Sequence, residues 1–178
     1  MIRLFAALPL PFDITEGLAR RTQGLPRAAW RPVEGLHITL AFFGEMDEAR
    51  ASDLDLELGR LVMEPFLLHL EGVGQFVEGP SAQTLHARVP LTEPLERLAR
   101  KCETAARKVG VRPETRAYRP HVTLASVKRA PPERVVAWIA AHNLLRSPDW
   151  RADQFHLYSS LRGERGAHYE VERTYRLA

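Results

Sequence analysis

The chain alternates between segments with the two-residue periodicity of a β-strand and segments with the 3.6-residue periodicity of an α-helix. Short alternating or apolar runs bounded by Gly and Pro predict strands at Ile2–Leu8, the run holding His37, FLLHLEGVGQF, QTLHARV, the run holding His121, Gln154–Ser160 and Tyr169–Leu177. Apolar residues at helical spacing predict helices from Pro11 toward Gly24, over DEARASDLDLELGRLV, over Glu93–Val109 and over RVVAWIAAH. The order of these elements predicts an α+β fold.

One predicted strand carries polar side chains along one of its faces. In the segment GLHITLAFFG, alternation puts His37 and Thr39 on one face and Ile38 on the other. A single site of this kind is most often a half-buried histidine beside a strand-favouring threonine. The segment YRPHVTLASV repeats the order, however, with His121 and Thr123 on one face. The repetition favours a shared functional site.

The two histidine–threonine strands lie in similar surroundings. The order strand, helix, histidine–threonine strand, helix occurs early in the chain, and helix, histidine–threonine strand, helix recurs late. The simplest interpretation is two related α+β lobes that each supply one such strand to a shared sheet face or cleft. Because no Gly- or Ser-rich linker separates them, residues 1–178 are expected to form a single bilobal domain.

Two facing histidines suit general acid and base catalysis. The imidazole pKa of about 6.5 lets one ring accept a proton at neutral pH while the other, beside an anion, donates one. Each role contributes roughly 10²- to 10⁴-fold in rate, and together they suit displacement at phosphorus. The hydroxyls of Thr39 and Thr123 can donate hydrogen bonds to non-bridging phosphate oxygens.

Other chemistries fit the sequence less well. A metal site would favour a second histidine or a carboxylate where both motifs have threonine. The chain contains no G-x-S-x-G nucleophile segment and neither common glycine-rich phosphate loop. We therefore expect no metal and no cofactor. A non-catalytic RNA-binding module remains an alternative because basic residues surround the second motif, namely Arg112, Arg116, Arg119, Lys128 and Arg129.

Charge and cysteine content indicate which partners and which cellular compartment suit the protein. The formal net charge is +3, with most of the basic residues arginine, which suits anionic partners. Cys102 is the only cysteine, so the chain has no internal disulfide and a cytoplasmic location is predicted. The initial apolar run is broken by Pro9 and Pro11 and is interpreted as a strand. We expect no membrane association, and nothing in the sequence indicates an obligate protein partner.

Several further residues have an ordinary structural interpretation. His86 alternates with polar neighbours on a predicted strand, and His156 alternates with Tyr158 on a later one. Both faces are predicted to meet water. Three aromatic residues are predicted to lie in the core, namely Phe42, Phe43 and Trp30.

Segments spread along the chain resemble one known family. They are RLFAALPLP, WRPVEGLHITLAFFGE, YRPHVTLASVK, and FHLYSSL followed by HYEV. The paired H-x-T-L motifs resemble those of the 2H phosphoesterase superfamily. The surrounding segments resemble the bacterial and archaeal RNA 2′,3′-cyclic phosphodiesterases, also called 2′-5′ RNA ligases. The resemblance extends from the first predicted strand to the last.

The resemblance implies a fold and a reaction. The fold is α+β with two pseudo-symmetric lobes, each an antiparallel sheet with helices on its outer face, and an active-site cleft between them. The reaction is metal-independent hydrolysis of a 2′,3′-cyclic phosphate, at an RNA 3′ end or on a nucleotide, to a 2′-phosphate, with reversible ATP-independent 2′-5′ joining in some members. In that pattern His37 is the proton donor, His121 is the proton acceptor, and Thr39 and Thr123 hold the phosphate.

One position departs from the family pattern. Many members have an arginine shortly after the second motif, where this chain has Ser126. Its role in RNA contact is expected either to pass to Arg119, Lys128 or Arg129 or to be absent. The alternative function is an RNA-end binding module with weak or no turnover.

Overall fold

The computed structural model describes residues 1–112, 114, 116–163 and 166–178. Within them, the helices are α1 (Phe12–Ala19), α2 (Glu48–Gly59), α3 (Glu93–Lys108) and α4 (Pro132–His142), with a short 3-10 turn at Val33–Gly35. The strands are β1 (Ile2–Pro9), β2 (Ala28–Trp30), β3 (His37–Met46), β4 (Phe66–Leu68), β5 (Val73–Val77), β6 (Ala82–Arg88), β7 (His121–Lys128), β8 (Trp150–Ala152), β9 (Gln154–Gly163) and β10 (Gly166–Arg176).

Most of the strands join one antiparallel sheet. Its order in the described residues is β10-β9-β1-β3-β7-β6-β5, and β2 also pairs with β7. The two strands that begin with the catalytic candidates, β3 and β7, are therefore neighbours at the middle of the sheet. The short strands β4 and β8 form a separate two-stranded sheet.

The sheet consists of two halves that meet at a seam. In the part of the chain that the structure describes, β3 pairs with β7 only at Ile38 and Val122. Both strands begin beside this pair and run away from it in opposite directions, because their pairing is antiparallel. One half is β10-β9-β1-β3, and the other is β7-β6-β5 with β2. The predicted α+β fold with two lobes is confirmed, with the two sheets continuous through the seam.

The apolar face of the central strands forms the core. Ile38 and Val122 are fully buried, as are leucines of α2 and α3, and these helices lie against β1 and β3. Cys102 of α3 is buried in the same cluster. With that face packed, the opposite face of the seam is left for polar side chains. Among the described residues, no helix is long and apolar enough to cross a membrane.

Two differences from the predicted elements concern short strands. The segment FLLHLEGVGQF is not one strand, because the chain turns at Gly72, whose φ of +77° favours glycine. Its first part becomes β4, which pairs with β8 outside the main sheet. The three-residue strands β2 and β8 are too short to give a periodic pattern and were not predicted.

Candidate active site

The seam brings the two histidine–threonine motifs together on one face. With Ile38 opposite Val122, continuing the antiparallel register by one residue each way puts His37 beside Thr123 and Thr39 beside His121. Since Ile38 and Val122 point into the core, the four polar side chains share the other face. The histidines occupy one diagonal of this group and the threonines the other.

Both histidine rings are oriented by a backbone carbonyl two residues earlier. Nδ1 of His37 lies 2.9 Å from the Gly35 carbonyl oxygen, and Nδ1 of His121 lies 2.7 Å from that of Arg119. A carbonyl oxygen can only accept, so Nδ1 of each ring donates. In the neutral ring the lone pair is then on Nε2. Each histidine therefore keeps Nε2 for a substrate.

The His37 ring lies in a cluster of aromatic side chains. Its centroid is 5.0 Å from that of Phe5, 5.3 Å from Tyr169 and 5.9 Å from Tyr158. Burial lowers the pKa of His37 to about 4, and the positive charges of Arg31 and His121 act in the same direction. The free protein therefore holds His37 neutral at pH 7.

The His121 ring lies in a second aromatic cluster on the other side of the seam. Its centroid is 4.9 Å from Phe76 and 5.3 Å from His86, both in edge-on arrangements. His86 in turn stacks on Phe76 with centroids 4.2 Å apart. Burial lowers the pKa of His86 to about 4, helped by the nearby charges of His121 and Arg88. The ring next to His121 is therefore neutral at pH 7.

Two arginines lie near the histidine clusters, one on each side. Arg31 acts on the charge of His37, and Arg88 acts on that of His86. Arg88 also pairs in register with His121. Within the described residues, neither arginine has a carboxylate within ion-pair distance. The polar face of the seam therefore has a positive potential.

The basic residues suggested by the sequence lie at different distances from the seam. Arg119 is exposed and precedes His121 by two residues. Lys128 ends β7, about 23 Å from His121 along an extended strand. Arg129 follows it, and its amide donates to the Ser81 carbonyl at the far end of β6. Of these three, only Arg119 is near the paired histidines.

The sequence interpretation missed two residues beside the paired histidines, His86 and Tyr158, and placed Phe42 wrongly in the core. His86 does not meet water but is 5% exposed, because Phe76 from β5 covers its ring. Tyr158 also faces the site, since it stacks on Phe5 at 5.2 Å. Phe42 is 56% exposed rather than buried, whereas the prediction that Phe43 lies in the core is correct.

The described residues can also be searched for a set of side chains that could bind a metal ion. Among them, no three His, Cys, Asp or Glu side chains come together as a metal site would require. At the seam, each histidine is accompanied instead by a threonine hydroxyl. The donor set is suited to an anion.

Fold and site together define an α+β protein with a two-histidine, two-threonine centre on one antiparallel sheet. The chain belongs to the 2′-5′ RNA ligase superfamily, whose family model matches residues 13–164. The family predicted from the paired motifs is therefore confirmed.

Similar proteins come from bacteria and archaea. An Escherichia coli RNA 2′,3′-cyclic phosphodiesterase is 35% identical over 125 residues, covering 68% of this chain and 70% of the relative. One from Archaeoglobus fulgidus is 30% identical over 135 residues, covering 74% and 76%. Among solved structures, E. coli LigT complexed with 3′-AMP has a TM-score of 0.80 at 24% identity and covers 99% of this chain and 98% of its own. The last likeness shows that the fold is shared.

Proposed function

We propose that this protein hydrolyses 2′,3′-cyclic phosphates on RNA 3′ ends or nucleotides to 2′-phosphates, without a metal. The observation that carries the proposal is the register at the seam, which gathers two histidines and two threonines around one point. The relatives named RNA 2′,3′-cyclic phosphodiesterase support the same substrate class. The 3′-AMP complex of E. coli LigT supports a ligand of nucleotide size.

The proposed reaction is a displacement at phosphorus that consumes one water molecule. Nε2 of His121 takes a proton from water as its oxygen forms a bond to phosphorus. The bond from phosphorus to the ribose 3′ oxygen breaks, and Nε2–H of His37 gives that oxygen a proton. The hydroxyls of Thr39 and Thr123 donate hydrogen bonds to the non-bridging oxygens, where negative charge develops. The product carries a 2′-phosphate and a free 3′-hydroxyl.

The role of His37 requires a proton that the free protein does not hold at pH 7. Burial keeps the pKa of this ring low, and the nearby positive charges oppose protonation further. A bound cyclic phosphate carries a negative charge, which raises the pKa of an adjacent imidazole. Substrate binding therefore charges His37, and the acid forms only where a phosphate is present.

The same site accommodates the joining reaction. A ribose 5′-hydroxyl in the place of water would give a 2′-5′ linkage, with His121 removing its proton. Among the three basic candidates outside the motifs, Arg119 is best placed to contact the RNA end because it lies beside His121. Lys128 and Arg129 would meet only RNA that continues along β7. A cytoplasmic location stays a prediction, which the lone buried Cys102 supports.

The test is product formation from a 2′,3′-cyclic nucleotide and from a short RNA with that end, in the presence of a chelator. We expect a 2′-phosphate from both. His37→Ala and His121→Ala should each lower kcat by at least about 10²-fold, since each removes one proton-transfer step. The matched control is His168→Ala, which removes an exposed histidine of β10.

The outcomes separate the proposed enzyme from its alternative. A variant of either seam histidine with near-normal turnover would exclude the two-histidine mechanism. RNA binding by the wild type without product from either substrate would favour the RNA-end binding module. Activity abolished by the chelator and restored by a divalent metal would overturn the metal-independent mechanism.

A further inference from the structure

Two glycines lie on the same face of β5 as Phe76, beside the candidate active site. Gly72 precedes this strand, and Gly74 and Phe76 follow at intervals of two, so all three lie toward one face. Phe76 is the residue that stacks on His86 and meets the edge of His121. The two glycines therefore leave a shallow track that leads to the cluster around His121.

The side chain of Arg88 lies in this track. A Cβ on Gly74 would be 2.9 Å from Nε and 3.0 Å from Nη2 of Arg88, and 3.0 Å from Nε2 of His86. A Cβ on Gly72 would lie 3.3 Å from Oδ1 of Asn143 and 3.9 Å from Cδ of the same arginine. A Cβ at position 74 would therefore require the exposed Arg88 side chain to move away from its present place. Glycine there lets the guanidinium lie flat over β5.

Within the described residues, the charge of the Arg88 guanidinium is not neutralised by a carboxylate. Arg88 is exposed, and in the part of the chain that the structure describes no carboxylate forms an ion pair with it. The neighbouring ring of His86 is neutral at pH 7, because burial lowers its pKa. Arg88 is therefore a cation beside the site whose charge no carboxylate of the described residues neutralises. A planar guanidinium of this kind suits a phosphate.

The position of the guanidinium decides which phosphate it reaches. The reacting phosphate lies at the seam between β3 and β7, whereas the guanidinium lies over β5, two strands beyond β7. Neighbouring strands are about 4.8 Å apart, so the separation is roughly 10 Å or more. This distance is too long for contact with the reacting phosphate. It fits an anionic group further along an RNA strand.

We propose that Arg88, laid along the Gly72 and Gly74 track, binds the phosphodiester next to the terminal cyclic phosphate of an RNA substrate. The inference rests on the proposed function and adds its substrate preference. The site then distinguishes an RNA end from a cyclic mononucleotide, which has no second phosphate. Arg88 is a specificity-determining residue and takes no part in proton transfer.

The experiment compares two substrates that differ by one phosphodiester. They are 2′,3′-cyclic AMP and the dinucleotide ApA with a 2′,3′-cyclic phosphate. We expect the wild type to have the lower KM for the dinucleotide. Arg88→Gln should raise that KM by roughly tenfold or more, the effect of losing a hydrogen bond to a charged group, and should raise the KM for the mononucleotide several-fold less, because only the positive potential of the seam is reduced there. Arg88→Lys, which keeps the charge, should recover part of the loss.

A second variant tests the geometry independently of the charge. Gly74→Ala places a methyl group where the guanidinium lies, so it should raise the KM for the dinucleotide as Arg88→Gln does. Combined with Arg88→Gln it should have little further effect, because both changes remove one contact. The matched control is Arg151→Gln, which removes an exposed arginine of β8, in the separate small sheet.

The outcomes are decisive in each direction. Equal losses on both substrates in Arg88→Gln would place Arg88 at the reacting phosphate and overturn the proposal, as would no loss on either. If the wild type turns over neither substrate, the proposed function fails, and titration calorimetry with the 2′-phosphorylated dinucleotide and with 2′-AMP still tests Arg88. A loss of affinity in Arg88→Gln that is several-fold larger for the dinucleotide than for 2′-AMP supports the proposal, and an equal loss or no loss overturns it.

Discussion

Two hydrogen bonds from ring nitrogens to backbone carbonyls define what the seam histidines can do. By engaging Nδ1, the carbonyls of Gly35 and Arg119 leave Nε2 of each ring for the proton transfers proposed above. The rings are alike in this support but differ in their neighbours. His37 has tyrosines and phenylalanine beside it, whereas His121 has a second histidine. At the scale of residues, the surroundings distinguish the two histidines.

His86 is buried, and its Nδ1 has no hydrogen-bond partner in the described structure. Its protonation is therefore expected to make the stability of the fold depend on pH. The pKa of His86 is about 4 in the folded protein and near 6.5 in the unfolded chain. Between these values unfolding takes up a proton, so stability is present above pH 6.5 and is lost as pH falls toward 4. His37 contributes with the same sign. His86→Phe should therefore lose less stability than the wild type between pH 7 and pH 5.

Urea denaturation at the two pH values measures the difference. Leu124→Ala is the control, since it removes a buried side chain from the core and keeps the stacked pair of His86 and Phe76. It should lower stability by the same amount at pH 7 and at pH 5. A wild type and a His86→Phe variant that lose equal stability on acidification would show that His86 is not the source of the pH dependence.

At the scale of elements, one hydrogen bond ties the two halves of the sheet at the seam. The hydroxyl of Tyr118, in the connector that leads into β7, donates to the Thr39 carbonyl of β3 at 2.8 Å. The connector is thereby fixed to the opposite half, close to one of the threonines proposed to hold phosphate. This bond positions the start of β7, and with it His121, relative to β3.

Tyr118→Phe removes this tie while keeping the packed ring. The free energy of unfolding should fall by about 1 kcal/mol, the usual net value of a buried hydrogen bond. Tyr158→Phe is the control, because its hydroxyl has no protein hydrogen bond within the described residues, and it should change stability by less than about 0.5 kcal/mol. Thermal or urea unfolding gives both values. Equal effects of the two variants would exclude the tie.

The helices and strands also show how much of the fold and of the site can be predicted from the sequence alone. Periodicity was enough to predict the four helices and the strands of His37 and His121, because each has a long apolar face in the core. The four seam residues were predicted because the same short motif occurs twice. The seam itself was not predicted, since it depends on a register between strands that are far apart in sequence.

The failures have local physical causes. The exposure of Phe42 follows an irregular register between β1 and β3, where the alternation of buried and exposed residues changes phase. The burial of His86 depends on a ring supplied by β5, which alternation within β6 does not encode. The role of Arg88 depends on two glycines in a different strand. In each case the missing information is a contact between strands.

At the scale of the whole molecule, the two halves of the sheet are not two segments of the chain. One half needs β1 and β3 from the start of the sequence together with β9 and β10 from its end. The other half takes β5, β6 and β7 from the middle of the sequence and β2 from between β1 and β3, and one buried cluster of the described residues extends through both halves. Neither half is therefore expected to fold alone.

This arrangement predicts one cooperative unfolding transition. Tryptophan fluorescence reports on Trp30 and Trp138, whose rings are 5.6 Å apart, and on Trp150 of the small sheet. Far-ultraviolet circular dichroism reports on all strands and helices. The two signals should give the same urea midpoint and the same slope. Two separate midpoints would contradict the prediction that residues 1–178 form one domain.

The diagonal placement of like residues at the seam has a consequence for enzyme redesign. Rotation by 180° about an axis through the Ile38–Val122 pair, perpendicular to the sheet, exchanges the positions of the two histidines and of the two threonines. The four central side chains therefore impose no polarity on the RNA strand that crosses them. The direction of the strand is instead set by the residues on either side of this group. Tyr158 and Tyr169 lie beside His37, whereas Arg88 lies on the side of His121. An enzyme redesigned to bind the strand in the opposite direction would therefore need these two sets of flanking residues exchanged, with the four central residues unchanged.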